Sequence, residues 1–154
     1  QKLMMQRKKW FYVGFAVAIL HARSTAASTN TNKVFRYEPE VVELTGIIER
    51  HTFPGRPGYY SIKNGDEIER GWYLKLPLPI DVEIGSNNTD GNAEAEKNIN
   101  ILHLAWSSEK QAGSILRKAV GKRVTLTGHL FHGYNGHHHS RVLMWVDASR
   151  IMSK

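Results

Sequence analysis

Five of the eight histidines stand within eleven residues, His129-Leu-Phe-His132-Gly-Tyr-Asn-Gly-His137-His138-His139. A neutral imidazole is the commonest protein metal ligand and also titrates near physiological pH, so such a cluster makes either a metal site or a pH-sensitive surface. The chain has no cysteine, which leaves histidine, carboxylate and water as the available ligands. Read as a β-hairpin with a two- or four-residue turn, the stretch pairs even positions before the turn with odd positions after it, so His132, His137 and His139 share a face while His129 and His138 point away. Three converging imidazoles could hold zinc or copper and leave a coordination position open. A three- or five-residue turn would reverse the second strand and bring His138 beside His132. Polar hairpin tips also gather histidine, asparagine and glycine without any metal, so a metal-free binding surface is the other reading.

A second chemical feature is the loop Thr52-Phe-Pro-Gly-Arg-Pro-Gly58, whose two prolines and two glycines cannot continue a ladder and must form a shaped turn. Its candidate ligand contacts are His51, Phe53, Arg56 and Tyr59, to be joined by Tyr134 and His138 from the histidine stretch. The Arg56 guanidinium offers a fork of donors suited to an anionic group. Trp72, Tyr73, Trp106 and Trp145 lie in apolar runs and read as core. No His-Glu-x-x-His run, Gly-x-Ser-x-Gly elbow or phosphate-cradling glycine loop occurs, so no residue is assigned a catalytic role.

The elements that must position these residues follow from periodicity. Val42, Leu44 and Ile48 against Glu43, Thr45 and Glu49 predict a strand over 41–51, with Gly46 at a bend or bulge. Short strands are expected at 59–62 and 72–76, separated by the turn Asn64-Gly65-Asp66, with Pro77 and Pro79 marking a strand end. Gly85 to Asn92 reads as a polar, flexible insertion and Ile99 to Trp106 as a further apolar strand. Ser108 and Gln111 have capping-box spacing, and Ala112, Ile115, Leu116, Ala119 and Val120 form a helical stripe that Gly121 stops. Strands over 123–132 and 138–146 close the chain. This order predicts a mainly β domain, an OB-like five-stranded Greek-key barrel with its helix between strands 3 and 4, binding through the loops that join strands 1 to 2 and 4 to 5.

At the other end, Arg7-Lys8-Lys9 precedes an apolar run from Trp10 to Leu20 and then Ser24-Thr25-Ala26-Ala27, the pattern of a secretory signal peptide. Its apolar run is short of the roughly 20 residues a membrane span needs. Cleavage is expected near Ala26, giving a signal peptide over 1–26, a flexible leader over 27–37 and one domain over 38–154, with no stable membrane anchor. The net charge of +7 then shrinks, because Lys2, Arg7, Lys8, Lys9 and Arg23 leave with the leader and 16 basic side chains face 14 acidic ones. A balance near +2 argues against a nucleic-acid partner.

The segments Val42-Glu-Leu-Thr-Gly46, Glu49-Arg-His-Thr-Phe-Pro-Gly55, Gly121-Lys-Arg-Val-Thr-Leu-Thr-Gly128, Leu-Phe-His132 and Gly136-His-His-His139 resemble a family of small exported bacterial domains of unknown function. The likeness covers most of residues 38–146; the insertion at 85–98 and the histidine at 129 depart from it. It implies an exported bacterial β-domain and brings no activity with it. The expectation is a periplasmic or secreted binding module for a protein, a glycan or another small ligand. The alternatives are a metal-dependent hydrolase built on His132, His137 and His139, and a periplasmic immunity or inhibitor protein.

Overall fold

Alternation decides the first long strand. In a computed structural model, which describes residues 31–107, 109–147 and 152–153, strand β2 (Val41–Pro54) buries Val42, Leu44, Gly46 and Ile48 and leaves Glu43, Thr45 and Ile47 less buried. The expected signal peptide and the expected capping residue Ser108 lie outside the described residues. Preceding β2 is β1 (Lys33–Arg36), which pairs in parallel with β3 (Ile68–Glu83). The stretch expected to be leader up to residue 37 therefore belongs in part to the sheet, anchored by the fully buried Tyr37. The polar sequence before it hid a strand that needs only an edge to pair with.

Strand β3 runs through Pro77 and Pro79 instead of ending there. Proline lacks an N–H and is tolerated where the ladder does not need one. Pairing of β3 with β2 extends only to Lys75, and its pairing with β4 (Glu96–Ala105) shifts register between Lys75 and Ile80, so both prolines lie in the unpaired gap. The strand expected over 59–62 is absent. Tyr59 has φ 60°, Ile62–Asn64 forms a 3-10 turn, and the Asp66 carboxylate accepts hydrogen bonds from the backbone N–H groups of Gly58, Tyr60 and Ser61. Those three N–H groups hold the Asp66 carboxyl below its ordinary value. They would be the donors of a strand, and the aspartate takes them instead.

Helix α1 (Glu109–Ala119) follows β4, and the chain continues through β5 (Arg123–His132), β6 (Val142–Val146) and β7 (Met152–Ser153). Leu116 and Ala119 enter the core, whereas Ile115 and Val120, expected on the same stripe, are exposed. Gly121, with φ 75°, ends the helix and donates its N–H to the Ile48 carbonyl, which ties the helix stop to β2.

The pairings return on themselves. β2 pairs with β3, β3 with β4, β4 with β6, β6 with β5 and β5 with β2, all antiparallel except the parallel β4–β6 contact, and β7 hangs on β5. The domain is thus mainly β with a single helix among the described residues, and its strands form a ring. Leu44, Ile48, Leu74, Leu102, Leu126, Leu130 and Met144 fill the interior. Each such side chain contributes about 2 kcal/mol relative to exposure.

Candidate functional site

Tyr73 and Leu143 are buried to 1% exposure yet stand apart from the interior cluster, because both point to the opposite face of the sheet. That face carries a second set of packed side chains. On β2 the odd positions Glu49, His51 and Phe53 oppose Tyr73, Gly71 and Glu69 of β3, and Tyr73 in turn opposes His103 of β4. Residues that oppose one another in a ladder share a face, so the register alone assembles these seven.

The rings form a continuous stack. His51 lies 4.7 Å from Tyr73, Tyr73 stacks on His103 at 4.8 Å and 14°, and Phe53 stacks on His139 at 4.1 Å and 5°. Gly71 leaves room for this packing, since a Cβ there would come within 2.8 Å of the Tyr73 ring and 3.1 Å of His103 Nε2. The loop 133–141 folds over the same face through Glu69, whose two oxygens lie 2.7 Å from His137 Nδ1 and 3.3 Å from His139 Nε2. A carboxylate can only accept, so a neutral His137 carries its proton on Nδ1 and its Nε2 accepts from the Tyr59 hydroxyl at 2.9 Å. The loops 55–67 and 133–141 therefore meet, as the sequence order predicted.

Environment sets the protonation of these groups. Burial pushes the His103 imidazole down to about 4, with His139 and His138 acting in the same direction and Glu69 opposing. His103 is therefore neutral at pH 7. Burial would raise the Glu69 carboxyl, but hydrogen bonds from His137 and His139 outweigh it and hold the group below its usual range. Burial and then the Glu69 charge raise the Tyr73 phenol, which stays protonated. His51 Nε2 donates to Glu49 at 2.8 Å. Two buried polar atoms in the stack, the Tyr73 hydroxyl and His103 Nδ1, have no hydrogen-bond partner. Beside them opens a cleft of about 400 Å³ bordered by Arg70, Gly71, Trp72, His103, Trp106 and Ser107.

The three-histidine metal site expected from sequence is not formed. Strand β5 ends at His132 and β6 begins at Val142, with these two residues opposite each other, so even positions pair with even positions and the intervening loop is longer than a hairpin turn. His132 turns instead to Glu96, 3.3 Å from Nε2, whose other oxygen meets Arg141 at 2.7 Å. No group of three or more histidine, aspartate or glutamate side chains in the described residues could hold a metal ion. His138 packs edge-on against Tyr134 at 4.6 Å and Phe131 at 5.7 Å and does not reach Glu69 as His137 and His139 do. Burial, followed by the nearby His137 and His139, lowers its imidazole. Arg56 is exposed and joins none of these contacts.

His51, Phe53, Tyr59, His137 and His139 are thus brought together as expected, while His132, His138, Tyr134 and Arg56 are not part of that assembly. Sequence reasoning missed Glu69, Gly71, Tyr73 and His103. Their signal was the alternation Glu69-x-Gly71-x-Tyr73, which an expected strand beginning at Trp72 cut in two.

This face and ring describe a small, mainly β domain bearing an aromatic and imidazole platform closed by two loops. Residues 101–151 match the model of a family described as Domain of unknown function (DUF4431), a stretch that holds His103 and the whole histidine loop. No curated protein and no solved structure matches the chain.

Proposed function

We propose that the chain is an exported binding module, periplasmic or secreted, built on an OB-like Greek-key barrel, and that its ligand is a small anion with a planar apolar part. The observation that carries this reading is the Tyr73–His103 stack with two buried polar atoms lacking partners, next to a cleft that His103 and Arg70 both border. Buried polar atoms without partners cost about 1–3 kcal/mol each, and a native protein keeps them where a ligand or water completes them. Arg70 forms no ion pair among the described residues, which leaves its fork of donors for a carboxylate or a similar anion. The partly buried Trp106 at the cleft offers apolar surface for a ring.

The OB-like reading favours binding on the sheet face that carries His103. Among the ring strands the helix lies between the third and the fourth, and loops 55–67 and 133–141 join the first pair and the last pair. In OB-type barrels those two loops and the adjoining sheet face carry binding.

Calorimetric titration with phenylacetate, set against the neutral 2-phenylethanol, tests the proposal. Saturable binding of the acid alone, weakened about tenfold or more in Arg70→Ala as expected for a lost charge-assisted pair, supports it. Equal heats from acid and alcohol, or binding untouched by Arg70→Ala, would overturn it.

A further inference from the structure

A second aromatic surface lies on β5 and β6, away from the stack at Tyr73. Trp145 is 45% exposed and Tyr134 66% exposed, although Trp145 sits in the apolar run Val142–Val146 and was expected in the core. Phe131 joins them, its ring 6.4 Å from Trp145. These three rings, with Glu38, Asp90 and Asn92, line a groove of about 400 Å³.

The groove is lined by acidic groups and tied by hydrogen bonds. It has two carboxylates in its lining and no lysine or arginine. Neither Glu38 nor Asp90 forms an ion pair among the described residues. Asn88 donates to the Glu38 carbonyl at 2.9 Å and accepts from the Asp90 N–H at 2.8 Å, and Asp90 accepts from the Asn92 N–H at 2.9 Å. One asparagine therefore sets both acidic residues on the same rim. Across the groove, His138 packs edge-on against both Phe131 and Tyr134 and ties the two rings of the aromatic wall together. Burial lowers its imidazole, which disfavours a positive charge there.

Aromatic faces attract cations through the ring quadrupole, and most strongly those whose charge is spread over methyl groups and weakly hydrated. Carboxylates on the rim add charge complementarity without competing for the ring faces. A neutral sugar would use the rings equally well but gains nothing from two unpaired carboxylates. We infer that this groove binds a small soluble quaternary ammonium compound, whose cationic head seats against Trp145, Phe131 and Tyr134 with Glu38 and Asp90 at its rim.

The test follows the indole N–H resonance of Trp145 in the full chain, assigned with Trp145→Phe, during titration with choline. The neutral isostere 3,3-dimethylbutanol, a neutral oligosaccharide and a trimethyllysine peptide serve as comparisons. The expected result is saturable movement of that resonance with choline, with a dissociation constant on the order of 1 mM or below. The isostere and the oligosaccharide should produce no saturable movement. Paired Glu38→Gln and Asp90→Asn replacements should weaken choline binding tenfold or more, and the surface location of both residues leaves the fold intact. Equal responses to choline and its isostere, a response to the oligosaccharide alone, binding of the peptide without binding of free choline, or undiminished affinity in the paired variant would each overturn the inference.

Discussion

Replacing His103 by glutamine should flatten the acid side of the stability profile, and the size of the effect follows from its surroundings. The imidazole is pushed from an ordinary 6.5 to about 4 by burial first and by His139 and His138 second. Its folded-state value is depressed, so between these two values the unfolded chain binds the extra proton. Stability supplied by the neutral ring is complete above 6.5 and is lost as pH falls toward 4. At about 1.4 kcal/mol per unit the full window corresponds to roughly 3 kcal/mol. The ring is only partly buried, and screening by solvent reduces this to about 1–2 kcal/mol between pH 7 and pH 5. Urea unfolding of the chain and of His103→Gln at both pH values provides the assay. The wild type should lose about 1–2 kcal/mol more than the variant on acidification. Equal losses, or an imidazole titrating near 6.5 by proton NMR, would refute a buried neutral His103.

Further outcomes follow from the clamp, the packing at Gly71 and the placing of His132. Glu69→Gln should loosen loop 133–141 by about 1–2 kcal/mol, the worth of hydrogen bonds to a charged acceptor, read as faster amide exchange at His137 to Ser140. Because the folded Glu69 carboxyl lies below its ordinary 4.5, the loop's protection in the wild type should persist above that value and fail as pH drops through the folded one; protection unchanged in the variant would count against the clamp. Gly71→Ala should cost about 1–3 kcal/mol by overpacking, since Tyr73 is 1% exposed and cannot swing clear of the new methyl. Gly85→Ala, where the nearest atom is 3.6 Å away, should stay within about 0.5 kcal/mol when both variants are unfolded in urea. His132→Ala should leave any zinc uptake by the histidine loop unchanged, because His132 is engaged with Glu96; parallel losses in His132→Ala, His137→Ala and His139→Ala would restore the three-histidine site.

Legibility in the sequence divided along physical lines. Where burial depends on a local period, as at Val42, Leu44 and Ile48 or at the helix stop Gly121, the pattern predicted the element. Competing side-chain chemistry was harder to read. Asp66 captures three N–H groups and so replaces a strand with a shaped turn, and nothing in the period around Tyr59 announces that. Pro77 and Pro79 were read as a strand end because a ladder normally needs their missing donors; only the register gap between Lys75 and Ile80 shows that it does not. The site was half visible. The loop residues Phe53, Tyr59, His137 and His139 were found because clustered histidines and Pro/Gly turns are conspicuous. Glu69 and Tyr73 sit on an alternation that the expected strand start at Trp72 cut in two, and His103 joins them only through pairing with a strand far away in the chain. The metal triad failed on parity, since a loop longer than a hairpin turn pairs His132 with Val142 and sends His137 and His139 to Glu69.

Amide shift mapping of the chain with phenylacetate tests the binding face most directly. The account predicts saturable shifts at Gly71, His103, Trp106 and Ser107, lost in Arg70→Ala, with the Phe131 and Trp145 signals still. Shifts confined to other surfaces, or none at saturating ligand, would contradict it.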